Sequence, residues 1–347
     1  MSVRKVVVGL SGGVDSSVAA ALLLKQGYTV EAVYLECYNE PGCRTDQDKA
    51  DALKVAIQLG IPFQVLDFRK EYKEKVIAYF YAEYGAGRTP NPDVVCNREV
   101  KFGIFYDWAR ESGYDYVATG HYARITPEGF LQSGRDVTKD QSYFLWQVPQ
   151  NHLAHVLFPL GDMLKSEVRA RAKKLKLLTA SKPDSMGICF IGEVDTAELL
   201  RDRLGEEVGE VIFDGMVVGS HKGLWFYTVG SRGGFVLNKK VLQKMGLHPE
   251  KMGPLYVLSK DRATNQLIVG DRAAVMRREF SVSELRMDKK PLEPFFVRIR
   301  NLGELYRVSS LEGNQVRTAE PLFGIAEGQS AVFYSHDGIV LGGGIIA

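Results

Sequence analysis

The first half of the chain alternates two hydrophobic patterns. Short β-branched runs predict strands at residues 5–10, 28–35, 62–67 and 114–119, and stretches with apolar residues at helical spacing predict helices at 14–26, 46–59, 69–84 and 97–112. Strands separated by helices of this length favour an α/β fold with a doubly wound parallel sheet, covered by helices on both faces. Ligands of such sheets bind beyond the carboxyl ends of the strands.

The pattern changes at about Gly205, where short alternating strands punctuated by glycine replace the helices. Strands are predicted at 208–213, 215–219, 223–229, 255–259 and 266–269, and then at 295–300, 306–310, 315–319, 330–334 and 339–341. Small all-β units with frequent turns indicate barrels. The predicted architecture is a doubly wound α/β domain over residues 1–200, a small β domain over 201–275 and a C-terminal β-barrel over 276–347.

Composition narrows the class of protein without indicating a partner. The chain has 347 residues, of which 45% are hydrophobic and 25% charged, which is ordinary for a globular protein and excludes a disordered or fibrous one. A net charge of +2 neither supports nor excludes nucleic-acid binding. Because the apolar runs are far shorter than the ~20 residues of a membrane helix, and the start lacks the pattern of a secretory leader, we expect a soluble cytoplasmic protein.

The most specific motif is SGGVDSS at residues 11–17, between the first predicted strand and helix. Gly12 and Gly13 allow a tight turn that brings backbone N–H groups close to an anion, and the helix N-terminus adds further donors. Asp15 could hold a Mg²⁺ ion on a leaving pyrophosphate. An ordinary strand-to-helix turn with Asp and Ser caps is the alternative. The complete motif resembles that of the PP-loop ATP pyrophosphatases, which split ATP to AMP and pyrophosphate.

The four cysteines are Cys37, Cys43, Cys96 and Cys189, and their spacing matches no zinc pattern. Prolines in the stretch TPNPDVVCN at 89–97 predict an extended loop that opens into a helix near Asn97, which would place Cys96 at a helix N-terminus and lower its thiol pKa. Asp93 could act there as a general acid or base. The alternatives are a buried structural cysteine for Cys96 and a core cysteine for Cys189, while Cys37 and Cys43 are interpreted as structural.

Several further strings follow these motifs in order along the chain. They are ATGHYA at 118–123, KDQSYFL at 139–145, GICFIG at 187–192, HKGLWFYTVG at 221–230, GQSAVFY at 328–334 and LGGGII at 341–346. Together with SGGVDSS and TPNPDVVCN they resemble the bacterial and organellar tRNA-specific 2-thiouridylase family, over almost the whole chain. The resemblance implies that ATP adenylates the C2 oxygen of the wobble uridine in tRNAs for Lys, Glu and Gln, and that sulfur then replaces this oxygen.

The same resemblance implies roles for individual residues. Cys189 would carry a persulfide and Cys96 would be its partner thiol, with the sulfur supplied by a cysteine desulfurase or a sulfur-relay protein. The implied nucleotide contacts are Gly9, Leu10, Ser11, Gly12, Gly13, Val14, Asp15, Ser16, Leu35 and Gly120. The implied contacts of the target base are Asn91, Pro92 and Asp93, and those of the tRNA are His121, Lys139, Asp140, Gln141, Arg300, Asn301 and Gln329.

Other interpretations of these residues remain open at this point. His121 could be a hydrogen-bonded histidine at a strand end, and Lys139 with Asp140 a solvated pair. The basic stretch 165–176 could follow RNA phosphates, although many surface helices are similar. Arg300-Asn301 replaces the usual basic-aromatic pair of the family, which puts the tRNA contacts there in doubt.

Two other functions compete with tRNA thiolation, and a cofactor site is a further possibility. A PP-loop ligase that adenylates a small metabolite would release AMP without RNA and would need neither Cys96 nor Cys189. A non-catalytic RNA-binding protein is the second possibility, and the intact SGGVDSS motif argues against it. The further possibility is that Cys96, Cys189 and Asp93 hold an iron-sulfur cluster.

Overall fold

The N-terminal part of the protein is built on a parallel β-sheet. The computed structural model describes residues 4–39, 45–184, 195–248 and 252–347. In this part the strands are β1 (Lys5–Gly9), β2 (Thr29–Glu36), β3 (Phe63–Asp67), β4 (Tyr116–Ala118), β5 (Ala123–Ile125), β6 (Leu131–Ser133) and β7 (Val156–Leu157). The sheet has the order β3-β2-β1-β4-β7 with all pairs parallel, and β5 and β6 form a separate hairpin. The carboxyl ends of β1, β2 and β4 therefore lie side by side.

Helices cover both faces of this sheet. They are α1 (Val14–Lys25), α2 (Thr45–Leu59), α3 (Arg69–Tyr72), α4 (Ala78–Gly85), α5 (Pro92–Cys96), α6 (Phe105–Glu111), α7 (Lys165–Lys174) and α8 (Thr196–Leu204). Wide helical turns at Lys73–Ile77 and Asn97–Ile104 join α3 to α4 and α5 to α6. Because Val7 of β1 packs with Phe105 on one face while Val6 and Val8 pack with Ala20 on the other, both faces are buried. This confirms the predicted doubly wound α/β fold.

The middle part contains a small mixed sheet. Its elements are β8 (Gly209–Phe213), β9 (Met216–His221), β10 (Val236–Leu237), α9 (Lys239–Lys244), β11 (Tyr256–Asp261), β12 (Gln266–Gly270) and α10 (Arg272–Val275). The sheet order is β10-β9-β8-β12-β11, and only the β8–β12 pair is parallel. The strand predicted at 223–229 is wrong, because Leu224–Phe226 forms a short 3₁₀ turn. Its buried Leu224 and Trp225 owe their burial to packing around this turn and not to a pleated strand.

The C-terminal part is a closed six-stranded barrel, as predicted. Its strands are β13 (Met276–Met287), β14 (Phe295–Arg298), β15 (Tyr306–Glu312), β16 (Gln315–Phe323), β17 (Ser330–Ser335) and β18 (Val340–Ile346). The long strand β13 is irregular at two points and pairs with β16 along its first half and with β18 along its second. These bends allow one strand to close the barrel. Phe280, Val297 and Phe333 fill its interior.

The barrel packs directly on the N-terminal domain. Tyr334 and Val340 share a buried cluster with Tyr143 and Trp146, and the Trp146 indole donates to Ser330 Oγ at 2.9 Å. Close approach here requires a glycine at 343, because a Cβ atom would lie 2.6 Å from the Trp146 ring. The barrel is thus fixed to the domain that carries the nucleotide motif. Within the described parts of the chain, no helix has the length and apolar character needed to cross a membrane.

Candidate active site

The SGGVDSS turn lies at the carboxyl end of β1 and leads into α1. Gly12 has φ +72°, and a Cβ atom there would collide with the Asp48 carbonyl of α2, so the turn requires glycine. The turn is braced internally, because Ser16 Oγ accepts from the Ser11 N–H at 3.1 Å and Ser17 Oγ donates to the Gly13 carbonyl at 2.7 Å. This arrangement leaves the first turn of a 12-residue helix to bind an anion.

The other predicted nucleotide residues lie along the same edge of the sheet. Gly120 follows β4 and abuts the turn, since a Cβ atom there would lie 2.7 Å from the Ser16 nitrogen. Leu35 is buried near the end of β2, and Leu10 donates its N–H to the Val33 carbonyl at 2.8 Å. The structure thus brings the residues predicted from β1, β2 and β4 to one edge, as expected for a parallel sheet.

Lys165, the first residue of α7, pairs with Asp15 in the turn. Its ammonium lies 2.7 Å from both Asp15 carboxylate oxygens, and the Tyr122 hydroxyl donates to Oδ1 at 2.8 Å. Burial together with the neighbouring Asp15 charge raises the pKa of Tyr122 far above its ordinary value, so its hydroxyl keeps its proton. Lys165 therefore places a positive charge beside the turn that is predicted to bind phosphate.

Lys182 and Asp184 lie beside the nucleotide turn, and each of them pairs with a different set of charged side chains. The Lys182 ammonium contacts the Gly12 carbonyl at 3.0 Å and the carboxylates of Asp48 and Asp51, each at 2.7 Å. Asp184 pairs with three cations, namely Lys139 at 2.8 Å, Lys165 at 2.9 Å and Arg169. We refer to these three cations and the Asp184 carboxylate as the Asp184 cluster.

Sequence reasoning did not predict Lys165, Arg169 and Lys182 as residues of the nucleotide site. The basic stretch at 165–176 suggested an exposed surface for phosphates, yet Lys165 and Arg169 turn toward Asp184. Spacing along a helix shows which residues share a face but not what that face meets. The sequence signal that points to Lys182 and Asp184 is their position, because both come shortly before the stretch that contains the candidate catalytic residue Cys189.

Asp15 is the predicted magnesium ligand. Both of its oxygens contact the Lys165 ammonium, and the described residues contain no group of three or more His, Cys, Asp or Glu side chains that could hold a metal. Mg²⁺ on a nucleotide typically needs one or two carboxylates in addition to phosphate oxygens and water. Asp15 fits that role if the Lys165 ammonium pairs with a phosphate.

Cys96 lies deeper and further along its helix than predicted. Helix α5 begins at Pro92, so Cys96 is one turn inside it and the expected position at a helix N-terminus is wrong. Proline is favourable as the first helical residue because its φ angle is preset and the missing N–H would have no helical partner there. Cys96 is fully buried in a cluster that includes Leu35, and Asp93 lies in the first turn of the same helix. Asp93 and Cys96 are therefore separated by about one helical turn.

A cavity of about 270 Å³ opens beside this helix. Its walls include Asn91, Pro92, Asp93, Tyr143, Phe144, Thr196, Asn301 and Gln329. The structure thus brings together the three residues predicted to meet the target base and two of those predicted to contact tRNA. The volume is close to the lower end of small-ligand sites, about 300 Å³.

The loop that forms one wall of this cavity is held by the barrel and by the middle domain. Gln329 Nε2 donates to the carbonyls of Thr89 and Pro90 at 3.1 and 3.0 Å, and the Thr89 N–H donates to the Glu327 carbonyl at 2.8 Å. The Thr89 hydroxyl also donates to Thr228 Oγ1 in the middle domain at 3.2 Å. The barrel and the middle domain therefore fix the backbone immediately before α5.

Two predicted tRNA residues are buried. His121 is 8% exposed, with Nδ1 2.7 Å from the Thr119 hydroxyl, which is the hydrogen-bonded histidine considered above. Burial, and secondly the Lys101 charge, lower the pKa of His121 well below its ordinary value. Asp140 is 1% exposed and forms a 2.8 Å ion pair with Arg298 of the barrel, so the alternative of a solvated Lys139–Asp140 pair is wrong.

The remaining predicted tRNA residues are distributed around the site. Lys139 belongs to the Asp184 cluster, and Gln141 Oε1 accepts from the Tyr122 N–H at 3.0 Å. Arg300 donates to the carbonyls of Phe323 and Gly324, next to Asn301 in the cavity wall.

Cys189 and Cys43 lie outside the described residues. The described chain stops at Asp184, beside the nucleotide turn, and resumes at Asp195, which caps α8 by accepting from the Ala197 N–H at 2.8 Å. Thr196, the next residue, lines the cavity. The chain on either side of the Cys189 stretch is therefore held at both parts of the candidate site.

Comparison with known proteins gives matches along almost the entire sequence. Residues 4–193 match the family described as the tRNA methyl transferase HUP domain, residues 197–271 its PRC-barrel domain and residues 277–346 the aminomethyltransferase beta-barrel domain. These three ranges follow the division into a parallel sheet, a small mixed sheet and a closed barrel.

Complete relatives match at high identity. The tRNA-specific 2-thiouridylase MnmA of Akkermansia muciniphila is 44% identical over 98% of this chain and 98% of that protein. The proteins of the same name from Stenotrophomonas maltophilia and Streptococcus pyogenes are 40% and 42% identical, over 100% and 99% of this chain and 94% and 95% of their own. A solved 4-thiouridine synthetase–RNA complex with bound ATP has a TM-score of 0.39 and 22% identity, over 57% of this chain and 50% of that one.

Proposed function

Since the chain belongs to the tRNA-specific 2-thiouridylase family and forms 2-thiouridine in tRNA, we propose that the two parts of its site divide this sulfurtransferase reaction between them. The nucleotide turn binds ATP, and the cavity beside α5 receives the target uridine. The observation that carries the proposal is that Asp184 lies at the turn while Thr196 lines the cavity. The intervening chain, which includes Cys189, thus starts at one part of the site and ends at the other.

The first step activates the uridine. Its C2 oxygen attacks the α-phosphorus of ATP, the bond between the α and β phosphates breaks, and pyrophosphate leaves. Backbone N–H groups of Gly12 to Ser16 and the N-terminus of α1 stabilise the charge on the leaving group, and Lys165 adds a cation. Gly9, Leu35 and Gly120 line the rest of the nucleotide site. Mg²⁺, when bound, would be held by Asp15 and would neutralise phosphate charge.

The second step transfers sulfur to the activated base. The outer sulfur of a Cys189 persulfide attacks C2 and AMP leaves, which joins the base to Cys189 through two sulfurs. The Cys96 thiolate then attacks the Cys189 sulfur. The sulfur–sulfur bond breaks with its electron pair going to the sulfur on C2, and a Cys96–Cys189 disulfide remains. Asp93 acts as the general acid or base in this transfer of sulfur. A thiol reductant then restores both cysteines.

The cavity positions the target base. Reaction at C2 requires the wobble uridine to leave its stack, and Asn91, Pro92 and Asp93 form the wall it meets. Arg300, Asn301 and Gln329 contact the tRNA directly, whereas Lys139 faces the nucleotide turn through the Asp184 cluster. The buried His121 and Asp140 and the half-buried Gln141 support this surface from beneath through their contacts with Thr119, Arg298 and the Tyr122 N–H. The tRNAs for Lys, Glu and Gln are the proposed substrates.

Two further assignments complete the proposal. The sulfur donor is a cysteine desulfurase or a relay protein that delivers persulfide sulfur to Cys189, and the reaction takes place in the cytoplasm. The functional units are a catalytic domain over residues 1–200, a small β domain over 201–275 and a tRNA-binding barrel over 276–347. The barrel contributes Asn301 and Gln329 to the cavity, which gives it a direct part in binding the base.

The test is sulfur transfer to an unmodified tRNA for Glu. Purified protein is incubated with ATP, Mg²⁺ and a desulfurase with cysteine, and thiolated tRNA is detected by slower migration on a mercury-containing gel. We expect an ATP-dependent shift that disappears in Cys96→Ser and Cys189→Ser. Cys37→Ser, which changes a buried thiol of the same cluster as Cys96, is the matched control and should keep the shift.

Other outcomes would contradict the proposal. AMP formation that does not require tRNA, without any gel shift, would indicate a ligase acting on a small metabolite. A gel shift that persists in Cys96→Ser would exclude the disulfide step. A visible absorption band that appears on anaerobic purification and is lost with either thiol would indicate an iron-sulfur cluster.

A further inference from the structure

Three cations converge on a single carboxylate beside the nucleotide turn. Asp184 Oδ2 lies 2.8 Å from the Lys139 ammonium, and Oδ1 lies 2.9 Å from the Lys165 ammonium and also accepts from Arg169 Nη2. The three cations come from two separate segments of the chain. The Lys165 side chain is 14% exposed and that of Arg169 is 26% exposed, so two of the three donors are partly withdrawn from water.

This set of donors is suited to a phosphate group. Arginine and lysine bind carboxylate and phosphate oxygens with the same charge-assisted hydrogen bonds, and a phosphate carries more oxygens and more charge. Lys165 is also the first residue of the ten-residue helix α7, and its N–H donates to Asp136 Oδ2 at 2.8 Å, so the helix N-terminus already binds an anion of the protein. The Lys165 ammonium also pairs with Asp15, so the cations of the Asp184 cluster are held by carboxylates on both sides of the nucleotide turn.

The charge state of Asp184 is consistent with its position among these donors. Partial burial alone would raise its pKa, but the hydrogen bonds from Lys139 and Lys165 outweigh burial and hold the pKa of Asp184 well below its ordinary value. The carboxylate is therefore an anion at neutral pH. It is placed where the Lys165 ammonium bridges it to Asp15 of the nucleotide turn.

We propose that Lys139, Lys165 and Arg169 form a phosphate subsite next to the nucleotide turn, and that the Asp184 carboxylate occupies it until a phosphate group displaces it. The inference rests on the proposed use of ATP at this turn. Its ligand is a phosphate of ATP or pyrophosphate, and a backbone phosphate of tRNA is the other source of the same chemistry. Asp184 then competes with the phosphate and lowers its apparent affinity.

Displacement of Asp184 need not disturb the rest of this segment. The neighbouring Lys182 is held separately by Asp48, Asp51 and the Gly12 carbonyl. Arg169 also donates to the Lys182 carbonyl, so it stays oriented toward the subsite when Asp184 leaves. The exchange of one anion for another therefore leaves the contacts of Lys182 and the hydrogen bond from Arg169 to its carbonyl in place.

The competition predicts the sign of a substitution effect. Asp184→Asn removes the internal anion and keeps the side-chain shape, so phosphate ligands should bind more tightly. If the carboxylate leaves the subsite open for one tenth of the time, the apparent Kd of the native protein is about tenfold above the intrinsic value. A carboxylate that held the nucleotide or its metal would give the opposite sign.

The experiment is calorimetric titration of the full-length protein with adenosine 5′-(α,β-methylene)triphosphate and, separately, with pyrophosphate. Filter binding of unmodified tRNA for Glu forms the third arm. We expect the Kd of nucleotide and pyrophosphate to fall about three- to tenfold in Asp184→Asn, with no change for tRNA. Asp184→Glu keeps the competing charge and should remain close to the native protein. Asp162→Asn changes an 83% exposed carboxylate and is the control.

Each outcome decides a separate point. A tighter Kd for tRNA alone would support the subsite and assign it to an RNA phosphate. Unchanged or weaker binding of all three ligands would overturn the inference. If neither protein binds the nucleotide, the proposed use of ATP fails, while the pyrophosphate arm still tests the subsite. If Asp184→Asn does not fold, Arg169→Gln is used, and unchanged pyrophosphate affinity in that variant would overturn the inference.

Discussion

The side-chain amide of Gln329 donates hydrogen bonds to the carbonyls of Pro90 and its neighbour Thr89, at 3.0 and 3.1 Å. Gln329 directly precedes strand β17 of the barrel, whereas Pro90 belongs to the loop that leads into α5. Because that loop cannot pair its carbonyls within a helix or sheet, the partner has to come from elsewhere in the molecule. The C-terminal barrel thus helps to shape the cavity in which the target base is proposed to bind.

Replacing Gln329 should therefore reduce catalysis more than folding. Gln329→Ala removes two hydrogen bonds, each worth about 0.5–1.5 kcal/mol, and frees the loop that orients Asn91 and Asp93. We expect kcat/KM for tRNA to fall about 10- to 100-fold while the Kd for ATP stays the same. Gln315→Ala, an exposed position of the same barrel, is the control. An equal loss of ATP affinity would contradict this interpretation.

The buried ion pair between Asp140 and Arg298 should dominate the stability of the interface between the first domain and the barrel. Arg298→Met leaves the Asp140 carboxylate buried without its cation, which typically costs about 3–5 kcal/mol. Urea denaturation should show this loss, and the double variant Asp140→Asn/Arg298→Met should recover part of it. Arg317→Met breaks an exposed pair with Glu279 and should cost less than about 1 kcal/mol. Equal destabilisation by Arg298→Met and Arg317→Met would refute the prediction.

Gly120→Ala should weaken nucleotide binding with little effect on overall folding. The new methyl group would lie 2.7 Å from the Ser16 nitrogen and 2.9 Å from the Asp15 carbonyl carbon, so it would push the nucleotide turn away from β4. We expect the Kd for ATP to rise at least tenfold, which corresponds to about 1.4 kcal/mol. Gly253→Ala, where a Cβ atom meets nothing within 4 Å, is the matched control. Normal ATP affinity in Gly120→Ala would contradict the prediction, because it would show that the nucleotide turn can shift without loss of ATP binding.

The free energy of unfolding should decrease as the pH falls below about 6.5. Burial lowers the pKa of His121, and likewise that of His221, below the ordinary value of 6.5. Between pH 6.5 and the pKa of the folded state, each of these histidines binds a proton in the unfolded chain but not in the folded protein. Each histidine therefore lowers the free energy of unfolding by up to about 1.4 kcal/mol per pH unit in that range. Urea titrations between pH 7 and pH 5 should show this slope. His121→Gln should flatten it, and an unchanged slope would contradict the prediction.

The sequence by itself determined the fold class and the nucleotide turn. Alternating strand and helix patterns were sufficient for the doubly wound domain, because the hydrophobic period depends on local geometry. SGGVDSS indicated the anion site because glycine and the first turn of a helix act locally. The closed barrel was also predicted from short strands and frequent turns. The prediction failed at 223–229 and at the start of α5, where apolar alternation and paired prolines allow more than one local structure.

Tertiary structure alone decided which charges surround the turn and what forms the cavity. Lys165 and Arg169 look like part of an exposed basic helix in the sequence, and packing of α7 turns both toward Asp184. From the sequence, Asp140 is expected at the surface, whereas in the structure it is buried and pairs with Arg298, which is distant along the chain. Local patterns contain no information about contacts between residues distant in sequence, because such contacts depend on how the three domains pack. The position of Gln329 against Pro90 is the clearest example.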